Sequence, residues 1–530
     1  MEEPHSSSPS INLRKQRRKW FGIHSDKWIQ VFFFGNAWIA ILILLLIAFF
    51  LFKEGSGFFG QNREAHVLYR KAGLEYVEQV KSTEADYTAL YRYLNSIRAE
   101  QMAALQARGV AFADANEQLA PLEDFAYDFL DLSYPLSDLN AELTEMVTSV
   151  RDQYVSNENL REYRRLLLRQ GNTAEAEQVE IHDVDFEFIE SYLREQTPRY
   201  VDLTQSLSRE ISAFTADFPE LPVPGHGAKI TRFRELTNQF IQSIPSRVDR
   251  LKAWNPDEPI SWMASFTSFI FGKEWVTNSF WQDWYGILPL LTGSLMVSGI
   301  ALTLAVPFGV AAAIYVNQIA SPSEQKWIKP SIEFIAAIPS VVLGFFGIAV
   351  LGETLRQVSN ISWLEFLPFF PIAERLNALT AGCLLALMAT PTIFTLAEDA
   401  INNVPKAYKE ASFAVGATRM QTILHIILPT ALSGIISAVL LGFGRVIGET
   451  MVVLLCAGNR IAIPELSEGL GAIVQPVHTM TGIIAQEMGE VERSSIHYRA
   501  LFVLGMLLFL ISLLVNWLAQ KIVHKFKISV

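Results

Sequence analysis

Two residues of opposite charge, Arg445 and Glu449, lie near the middle of an apolar run that extends from Ala431 to Gly458. A charge at the centre of a bilayer costs about 3 kcal/mol or more. Because the two residues are four positions apart, we predict that they lie on one face of a helix, where they can pair. Two interpretations stay open. The residues form a buried packing pair between helices, or they line a water-filled path for a polar solute.

The chemistry of the two residues favours an anion as that solute. The guanidinium of Arg445 presents a planar fork of donors, which suits a tetrahedral oxyanion. Phosphate near neutral pH retains a proton and can donate a hydrogen bond to the Glu449 carboxylate, whereas sulfate has no proton to donate. An arginine alone would accept any anion, so the preference for phosphate depends on Glu449. The glycines Gly442, Gly444 and Gly448 favour close helix packing around the two charges.

The elements that must position these residues are membrane spans. Half of the 530 residues are hydrophobic, and a helix needs about 20 apolar residues to cross a bilayer. The sequence therefore predicts an all-α polytopic membrane protein. Its six transmembrane helices are predicted at about 30–52, 286–316, 328–351, 379–397, 431–457 and 500–519. The first is predicted to be a span and not a cleaved signal peptide, because it is long and Lys53 and Glu54 follow it.

Basic residues predict the orientation of these spans. The segments 1–29 and 521–530 are rich in Lys and Arg, and such residues favour the cytoplasmic side of a membrane in short loops. The loops after the second and fourth predicted spans carry Lys326, Lys329 and Lys406, which agrees. We therefore predict that both termini are cytoplasmic.

Residues 53–283, between the first two predicted spans, are then expected outside the cytoplasm. The formal net charge of the chain is −11, and the excess of acidic residues falls in this segment. No nucleic-acid partner is expected, since that would require a basic stripe. Apolar residues recur at three- and four-residue steps, as at Ala72, Tyr76 and Val80, which predicts a mainly helical insertion. It is interpreted either as a docking domain for a partner or ligand or as a solvated insertion.

The sequence carries no motif for catalysis or metal binding. It has no HExxH, GxSxG or CxxC pattern, and His425 and His478 stand apart from other ligand or catalytic residues. The two cysteines, Cys383 and Cys456, both fall in predicted spans, so no disulfide framework is expected. The phosphate-binding pattern GxxxxGK[ST] is also missing. We therefore predict no enzyme active site, no metal site and no ATP site on this chain.

The loop after the fourth predicted span, KEASFAVGATRMQTILHIILP, has a regular pattern. It predicts a short helix, a glycine break, a second helix and a proline that enters the next span. An amphipathic loop on the membrane surface would also fit the composition. The spacing resembles the EAA loop of ABC-importer permeases, with a small Ser412 where Ala is usual. The matching positions, within 407–430, are Glu410, Ala411, Gly416, Ile426, Leu428 and Pro429. The resemblance implies that this loop contacts ATPase subunits.

Three further stretches resemble phosphate ABC-transporter permeases. GRVIGETMVVLLCAGN is similar to their GRxxGET stretch, AAIPSVVLGFFGI to their third-span motif, and IAQEMGEVERSSIHYRALF to their approach to the last span. The resemblance covers the first span and about 285 to the end, and it is closest to the PstC-type subunit. It implies that Arg445, Glu449 and Thr450 line the substrate pathway, and that Pro339 and Ser340 belong to the third-span motif.

The resemblance implies a function for the whole chain. Residues 284–520 would form a five-helix permease core beside the span at 30–52. The chain would be a permease subunit of an ATP-driven phosphate importer in the bacterial inner membrane. It would bind no cofactor itself, and ATP and Mg²⁺ would be used by partner subunits. The implied partners are a second, PstA-like permease subunit, two ATP-binding subunits, a periplasmic phosphate-binding protein, membrane lipid, a PhoU-like regulator and a sensor kinase. Two alternatives stay open, namely a permease for another oxyanion such as sulfate or molybdate, and a membrane sensor of phosphate status that uses residues 53–283.

Overall fold

The structure is a computed structural model that describes residues 19–20, 23–223, 227–277, 279, 281–361 and 370–525. The outer parts of the two basic termini, 1–18 and 526–530, lie outside the described residues. The chain divides into two compact units. We call Phe59–Gly286 the helical unit, and Met1–Phe58 together with Ile287–Val530 the membrane unit. The sequence-based boundaries were 53 and 283.

The helical unit is built from long helices around one core. Its helices are α2 (Phe58–Lys71), α3 (Leu74–Ala107), α4 (Phe112–Asp131), α5 (Tyr134–Gln170), α6 (Thr173–Glu177), α7 (Phe186–Phe214), α8 (Gly227–Lys252) and α9 (Trp262–Phe271). A two-stranded antiparallel hairpin follows, made of β3 (Trp275–Val276) and β4 (Trp284–Tyr285). Ala72, Tyr76 and Val80 are buried as the helical spacing predicts, and Gly73 separates α2 from α3 with a φ of 81°.

Buried tyrosines tie the long helices of this unit together. The Tyr76 hydroxyl lies 3.0 Å from Thr197 Oγ1, which joins α3 to α7. Thr83 and Tyr200 are linked through their hydroxyls at 2.9 Å between the same two helices. Burial raises the pKa of Tyr76 to about 12, because the charged phenolate is poorly solvated inside the core. The unit is therefore held by an apolar core with a few satisfied polar contacts.

The membrane unit begins with a short antiparallel pair, β1 (Lys19–Trp20) and β2 (Ile23–His24). Its helices are α1 (Ser25–Gly55), α10 (Leu288–Ile314), α11 (Pro322–Ala336), α12 (Ser340–Phe346), α13 (Gly352–Ser359), α14 (Ala378–Asn402), α15 (Lys406–Ala414), α16 (Arg419–Thr422), α17 (Leu428–Ile447), α18 (Met451–Cys456), α19 (Met480–Glu487) and α20 (Ile496–Lys525). Among the described residues, six helical stretches are long and apolar enough to cross a bilayer. They are Gln30–Lys71, Leu288–Ile319, Ser340–Ser359, Ala378–Asn402, Arg419–Ile447 and Ile496–Val523. The prediction of six spans in an all-α protein is thereby confirmed.

Small side chains allow the spans to pack closely. Helix α10 packs along α14, α14 packs on α17, α17 on α20, and α20 on α1. Ala301, Ala305, Ala381 and Ala389 are fully buried in the core of the unit. Interfaces of this kind bring helix backbones close together without large side chains between them. The helices α10, α14 and α17 therefore form a compact frame for the charged residues of α17.

The third span does not occupy the predicted range 328–351. Helix α11 starts earlier, at a capping box in which Ser321 and Glu324 each accept a hydrogen bond from the backbone of the other. This helix ends at Ala336, and the apolar stretch that can cross a membrane begins only at Ser340. The reason is Pro339, which has no N–H to continue a helix and disfavours helical geometry in the residue before it. The prediction from hydropathy alone had merged α11 and α12 into one span.

Candidate functional site

The predicted single helix over 431–457 is interrupted beside the charged residues. Helix α17 ends at Ile447, Gly448 is its C-cap, and α18 begins at Met451 after the N-cap Thr450. Arg445 therefore lies in the last turn of α17, whereas Glu449 lies in the break. The interpretation that both residues share one helical face is wrong for this reason. No ion pair joins Arg445 to Glu449 in the part of the chain that the structure describes.

Arg445 is held by the neighbouring helix α14. Its Nη1 donates a hydrogen bond to Thr392 Oγ1 at 3.1 Å. The two helices approach closely here, because a Cβ on Gly442 would come within 2.8 Å of the Ile393 side chain. The Arg445 side chain is otherwise exposed, and Thr392 is its one hydrogen-bond partner among the described residues. Most donors of the guanidinium are thus free to bind an anion.

Glu449 lines a small cavity that is rich in hydroxyl groups. The lining also includes Ser294 and Ser298 of α10 and Thr479 and Thr481 at the start of α19. Three of these side chains, Ser294, Ser298 and Thr479, are at most 3% exposed. Hydroxyls both donate and accept hydrogen bonds, but the cavity has a volume of only about 10 Å³, which is room for one water and not for an oxyanion.

Backbone contacts fix the hydroxyl groups around Glu449. Thr481 Oγ1 donates to the Glu449 carbonyl at 2.8 Å, and the backbone N–H of Met480 donates to Ser294 Oγ at 2.9 Å. Helix α10 and the start of α19 lie so close that a Cβ on Gly293 would meet the His478 carbonyl at 2.1 Å. The cavity is therefore assembled from four parts of the membrane unit, namely α10, α14, the segment from α17 to α18, and the start of α19.

Sequence reasoning missed these hydroxyl residues. Ser294 and Ser298 are four positions apart on an apolar helix, so they share a face, and this spacing was the available signal. Nothing in the sequence placed Thr479 or Thr481 beside Glu449. His478, which stood alone in the sequence, is buried with its Nε2 3.1 Å from Gln486 Oε1.

The third-span motif packs against the segment that follows Thr450. Pro339 is the N-cap of α12, and Ser340 is the first residue of that helix. A Cβ on Gly344 would lie 2.5 Å from the Leu455 side chain. Cys456 Sγ donates to the Gly344 carbonyl at 3.3 Å. The small residues of the motif thus allow α12 to pack tightly on α18, next to the break that carries Glu449.

The loop between α14 and α17 contains most of the predicted elements. Helix α15 is followed by Gly416 at a φ of 82°, where glycine is favoured. The next helix is capped reciprocally by Thr418 and Gln421. Pro429 lies in the first turn of α17. The predicted first helix, glycine break and proline are therefore confirmed. The second helix is not a separate element, because α16 continues through Ile423–Ile427 into α17, and Arg419–Ile447 is one helical stretch.

The same loop combines a buried attachment with an exposed apolar surface. Ser412 and Thr422 are buried and lie 2.9 Å apart through their hydroxyls, which joins α15 to α16. The matched positions Ile426 and Leu428 are half-buried, whereas Glu410, Ala411 and Gly416 are exposed. Val415 is 85% exposed and Phe413 is 50% exposed. An ordered loop with exposed apolar side chains is suited to contact another protein.

An ion pair connects α11 to the end of α14 near this loop. Lys329 Nζ donates to Glu398 Oε1, and only 9% of the Glu398 side chain is exposed. Asn317 also donates to Asn402 at 2.7 Å between the end of the second span and α14. Lys329 is therefore a structural partner of Glu398, although its charge also fits the positive-inside pattern used in the sequence analysis.

The described residues include no group of three or more His, Cys, Asp and Glu side chains that could hold a metal ion. What the membrane unit does present is an arginine with free donors, a hydroxyl-lined cavity with a carboxylate, and an ordered loop with exposed apolar residues. These features, on six apolar helical stretches, define a multi-pass membrane transport protein.

Comparisons with known proteins identify its family. Residues 305–528 match the family of binding-protein-dependent transport system inner membrane components. The chain is 34% identical over 242 residues to the probable ABC transporter permease protein YqgH of Bacillus subtilis, an alignment that covers 45% of this chain and 72% of the relative. It is 30% identical over 267 residues to the phosphate transport system permease protein PstC of Haemophilus influenzae, which covers 48% of this chain and 82% of that protein.

A solved structure, the inward-facing MetNI methionine ABC transporter, matches 46% of this chain and 94% of that chain at 19% identity and a TM-score of 0.33. On the sequence matches, the chain belongs to the binding-protein-dependent inner membrane component family, and it is a PstC-like member. It is a multi-pass protein of the inner membrane and a subunit of a transporter. The resemblance of its sequence to phosphate ABC-transporter permeases is thereby confirmed.

Proposed function

We propose that this chain is the permease subunit of an ATP-driven phosphate importer and forms half of the translocation pathway. The observation that carries this proposal is the break at Gly448, which separates Arg445 from Glu449. The arginine keeps most of its donors for an anion, and Glu449 lies in the break beside residues that carry hydroxyl groups. Ionisable groups inside a membrane usually serve transport in this way.

The substrate preference follows from the proton on phosphate. Arg445 supplies charge-assisted hydrogen bonds that any tetrahedral oxyanion can accept. Glu449 accepts a hydrogen bond from a protonated phosphate oxygen and repels a fully deprotonated anion. Thr450, which caps α18 immediately after Glu449, belongs to the same segment of the pathway. Phosphate is therefore favoured over sulfate and molybdate, and the name of the relative PstC agrees with this choice.

The coupling to ATP is assigned to the loop that contains α15 and α16. Its exposed apolar residues and its ordered turn support contact with a separate ATPase subunit, and Glu410, Ala411, Gly416, Ile426, Leu428 and Pro429 are its motif positions. The implied partners are two ATP-binding subunits, a PstA-like second permease and a periplasmic phosphate-binding protein. A PhoU-like regulator and a sensor kinase are proposed as partners of the assembled importer. This chain binds no ATP or Mg²⁺ of its own.

The transport cycle is alternating access. Both termini face the cytoplasm and the helical unit lies in the periplasm, where a loaded binding protein docks. Closure of the ATPase subunits moves the loop, and the loop is joined to the spans through Ile423 and Ile427, which are buried with Phe394 of α14. The pathway then opens outward to receive the anion and afterwards opens inward to release it.

The test is ATP-dependent phosphate uptake by vesicles that contain the assembled complex, with ATPase activity measured in parallel. Arg445→Gln should abolish uptake while the complex still assembles and hydrolyses ATP. A matched control is Arg356→Gln, because Arg356 is an arginine of α13 that already pairs with Glu353 at 3.0 Å. Normal uptake by Arg445→Gln would reject the assignment of the pathway.

Substrate identity is tested separately with Glu449→Gln. The proposal expects this variant to lose its preference for phosphate over sulfate in a competition assay. If wild-type uptake of phosphate is displaced equally by sulfate or molybdate, the substrate is another oxyanion. If phosphate signalling to a kinase survives while Arg445→Gln abolishes uptake, the sensor function is separable from transport.

A further inference from the structure

Helix α9 of the helical unit has an apolar face that is not covered within that unit. Its sequence, WMASFTSFIF, contains no charged residue. The side chains of Trp262, Met263, Phe266 and Phe271 are between 47% and 68% exposed. Four large apolar side chains on one short helix make a contiguous patch, which is unusual on a surface that faces only water.

The opposite side of α9 is firmly attached to α2. Asn62 Nδ2 donates to the Ser265 carbonyl at 3.3 Å and to Ser265 Oγ at 3.1 Å. Ser265 Oγ donates to the Phe59 carbonyl at 3.0 Å, and the Phe59 and Phe269 rings meet edge to face at 5.8 Å. The orientation of α9 is therefore fixed by buried contacts, and its apolar face is held on the outer side of the helix.

The chain ties both sides of α9 to membrane spans. Gly272, just after α9, lies against Gly286, because a Cβ on Gly272 would come within 2.6 Å of Gly286 Cα. Leu288, the first residue of α10, follows Gly286 by two positions. On the other side, Asn62 lies on α2, whose first residue follows the end of α1 at Gly55 by three positions. Asn62 is seven positions after Gly55, and at helical rise that length of chain extends only about 10 Å.

We propose that α9 lies flat in the membrane–water interface, on the side where α1 ends and α10 begins, with its apolar face in lipid. A ten-residue helix is about 15 Å long, about half of what is needed to cross the hydrocarbon core. Tryptophan and phenylalanine with a nearby cation are typical of interfacial helices. Here Arg63 lies 5.6 Å from the centre of the Trp262 ring and donates from Nε to the Ile260 carbonyl at 2.7 Å.

Lipid fits this face better than a protein partner. The patch carries no charged group that would pair with a partner surface, and the chain holds it close to two spans. The proposal concerns the membrane alone and does not depend on which solute is transported.

The experiment is spin-label accessibility in the full chain. Single cysteines are placed at Met263 and Phe266 in a background in which both native cysteines are replaced by alanine. The labelled protein is reconstituted in nanodiscs of phosphatidylcholine and phosphatidylglycerol. Collisions are measured with oxygen, which concentrates in lipid, and with a water-soluble nickel chelate. Leu44 on α1 is the lipid reference, and Leu168 on α5 is the water reference; both are about half exposed.

We expect labels at Met263 and Phe266 to collide with oxygen as at Leu44 and to be protected from the nickel chelate relative to Leu168. Nickel access equal to that at Leu168 would place the face in water and overturn the proposal. Protection from both reagents would show that protein covers the face, which overturns it as well. Labels at two positions on the same face guard against a local effect of one substitution.

Discussion

Replacing Thr392 by valine should weaken phosphate transport without disturbing the fold. Thr392 Oγ1 accepts the hydrogen bond from Arg445 Nη1 at 3.1 Å, and this bond links α14 to α17. Valine keeps the branched shape of threonine but has no hydroxyl. The packing of the two helices should therefore persist, while the guanidinium loses the contact that sets its orientation. Thr392 is a positioning residue, and Arg445 is the group proposed to contact the anion.

The size of the effect follows from the exposure of Arg445. A hydrogen bond to a charged group contributes about 1.5–3 kcal/mol when it is shielded from water, and a typical one about 1 kcal/mol. Because Arg445 is exposed, water replaces part of the lost bond, and the lower value applies. A loss of about 1 kcal/mol corresponds to a fall of about fivefold in kcat/KM for phosphate.

The assay is the initial rate of ATP-driven uptake over a range of phosphate concentrations. The matched control is Thr395→Val on the same helix, because Thr395 Oγ1 donates to the Pro391 carbonyl at 3.0 Å and does not contact Arg445.

Two results would refute this reasoning. Uptake by Thr392→Val at the wild-type rate, together with complete loss in Arg445→Gln, would show that the bond does not position the arginine. An equal fall in Thr395→Val would show that the loss reflects a general change in α14.

Three further predictions concern the coupling region and the helical unit. Lys329→Met should lower the free energy of unfolding by about 2–3 kcal/mol, because it leaves the buried Glu398 carboxylate without its partner. The midpoint of thermal unfolding in detergent measures the loss. Adding Glu398→Gln to this variant should restore part of the lost stability. Gly416→Ala should destabilise the turn by roughly 1–2 kcal/mol, because a φ of 82° strains any residue with a Cβ. Because this turn orders the coupling loop, the amount of phosphate transported per ATP hydrolysed should fall. Burial raises the pKa of Tyr76 to about 12, so the folded helical unit should lose stability as the pH rises from about 10 to 12. Circular dichroism during an alkaline titration measures the loss. Tyr76→Phe should reduce it only in part, because burial also raises the pKa of Tyr69, Tyr87 and Tyr200.

Each of these predictions can fail in a specific way. An unchanged thermal midpoint in Lys329→Met would mean that water solvates Glu398 in place of the lysine. A Cβ at position 416 would meet no neighbouring atom, so the substitution changes only the backbone strain. An unchanged ratio of phosphate transported to ATP hydrolysed in Gly416→Ala would therefore mean that the loop does not need its left-handed turn. The sign of the tyrosine effect is fixed, since the unfolded chain releases the phenol proton at a lower pH than the folded chain. Equal alkaline loss in Tyr76→Phe would assign the transition to other groups.

The parts of this fold that the sequence predicted are those with local signals. Hydropathy identified the six spans, because each contains a long apolar window, although it misplaced the third. The first helix and the glycine break of the loop before α17 were predicted because glycine and proline act on their immediate neighbours. Gly416 has the positive φ that its residue type permits, and Pro429 lies in the first turn of α17, as expected.

The errors came from breaks inside apolar runs. Hydropathy averages over a window and cannot register that a helix ends and another begins within it. At the third span the signal was present in Pro339, whose effect on the preceding residues favours a break. At the fifth span the signal was weaker. Gly448 follows Gly442 and Gly444, and both of these glycines lie inside α17, so a glycine here does not by itself indicate a break. A glycine permits a break but does not require one.

The break at Gly448 matters chemically, because a continuous helix would have worked against anion transport. With Arg445 and Glu449 stacked one turn apart, the carboxylate would neutralise the guanidinium and compete with any anion for its donors. The break places Glu449 in a cavity lining shared with Ser298 and Thr481, and it leaves Arg445 beside the neutral hydroxyl of Thr392. These partners come from helices that are distant in sequence, so no spacing rule could identify them. The same separation explains why an arginine and a glutamate can both persist in an apolar run without cancelling each other.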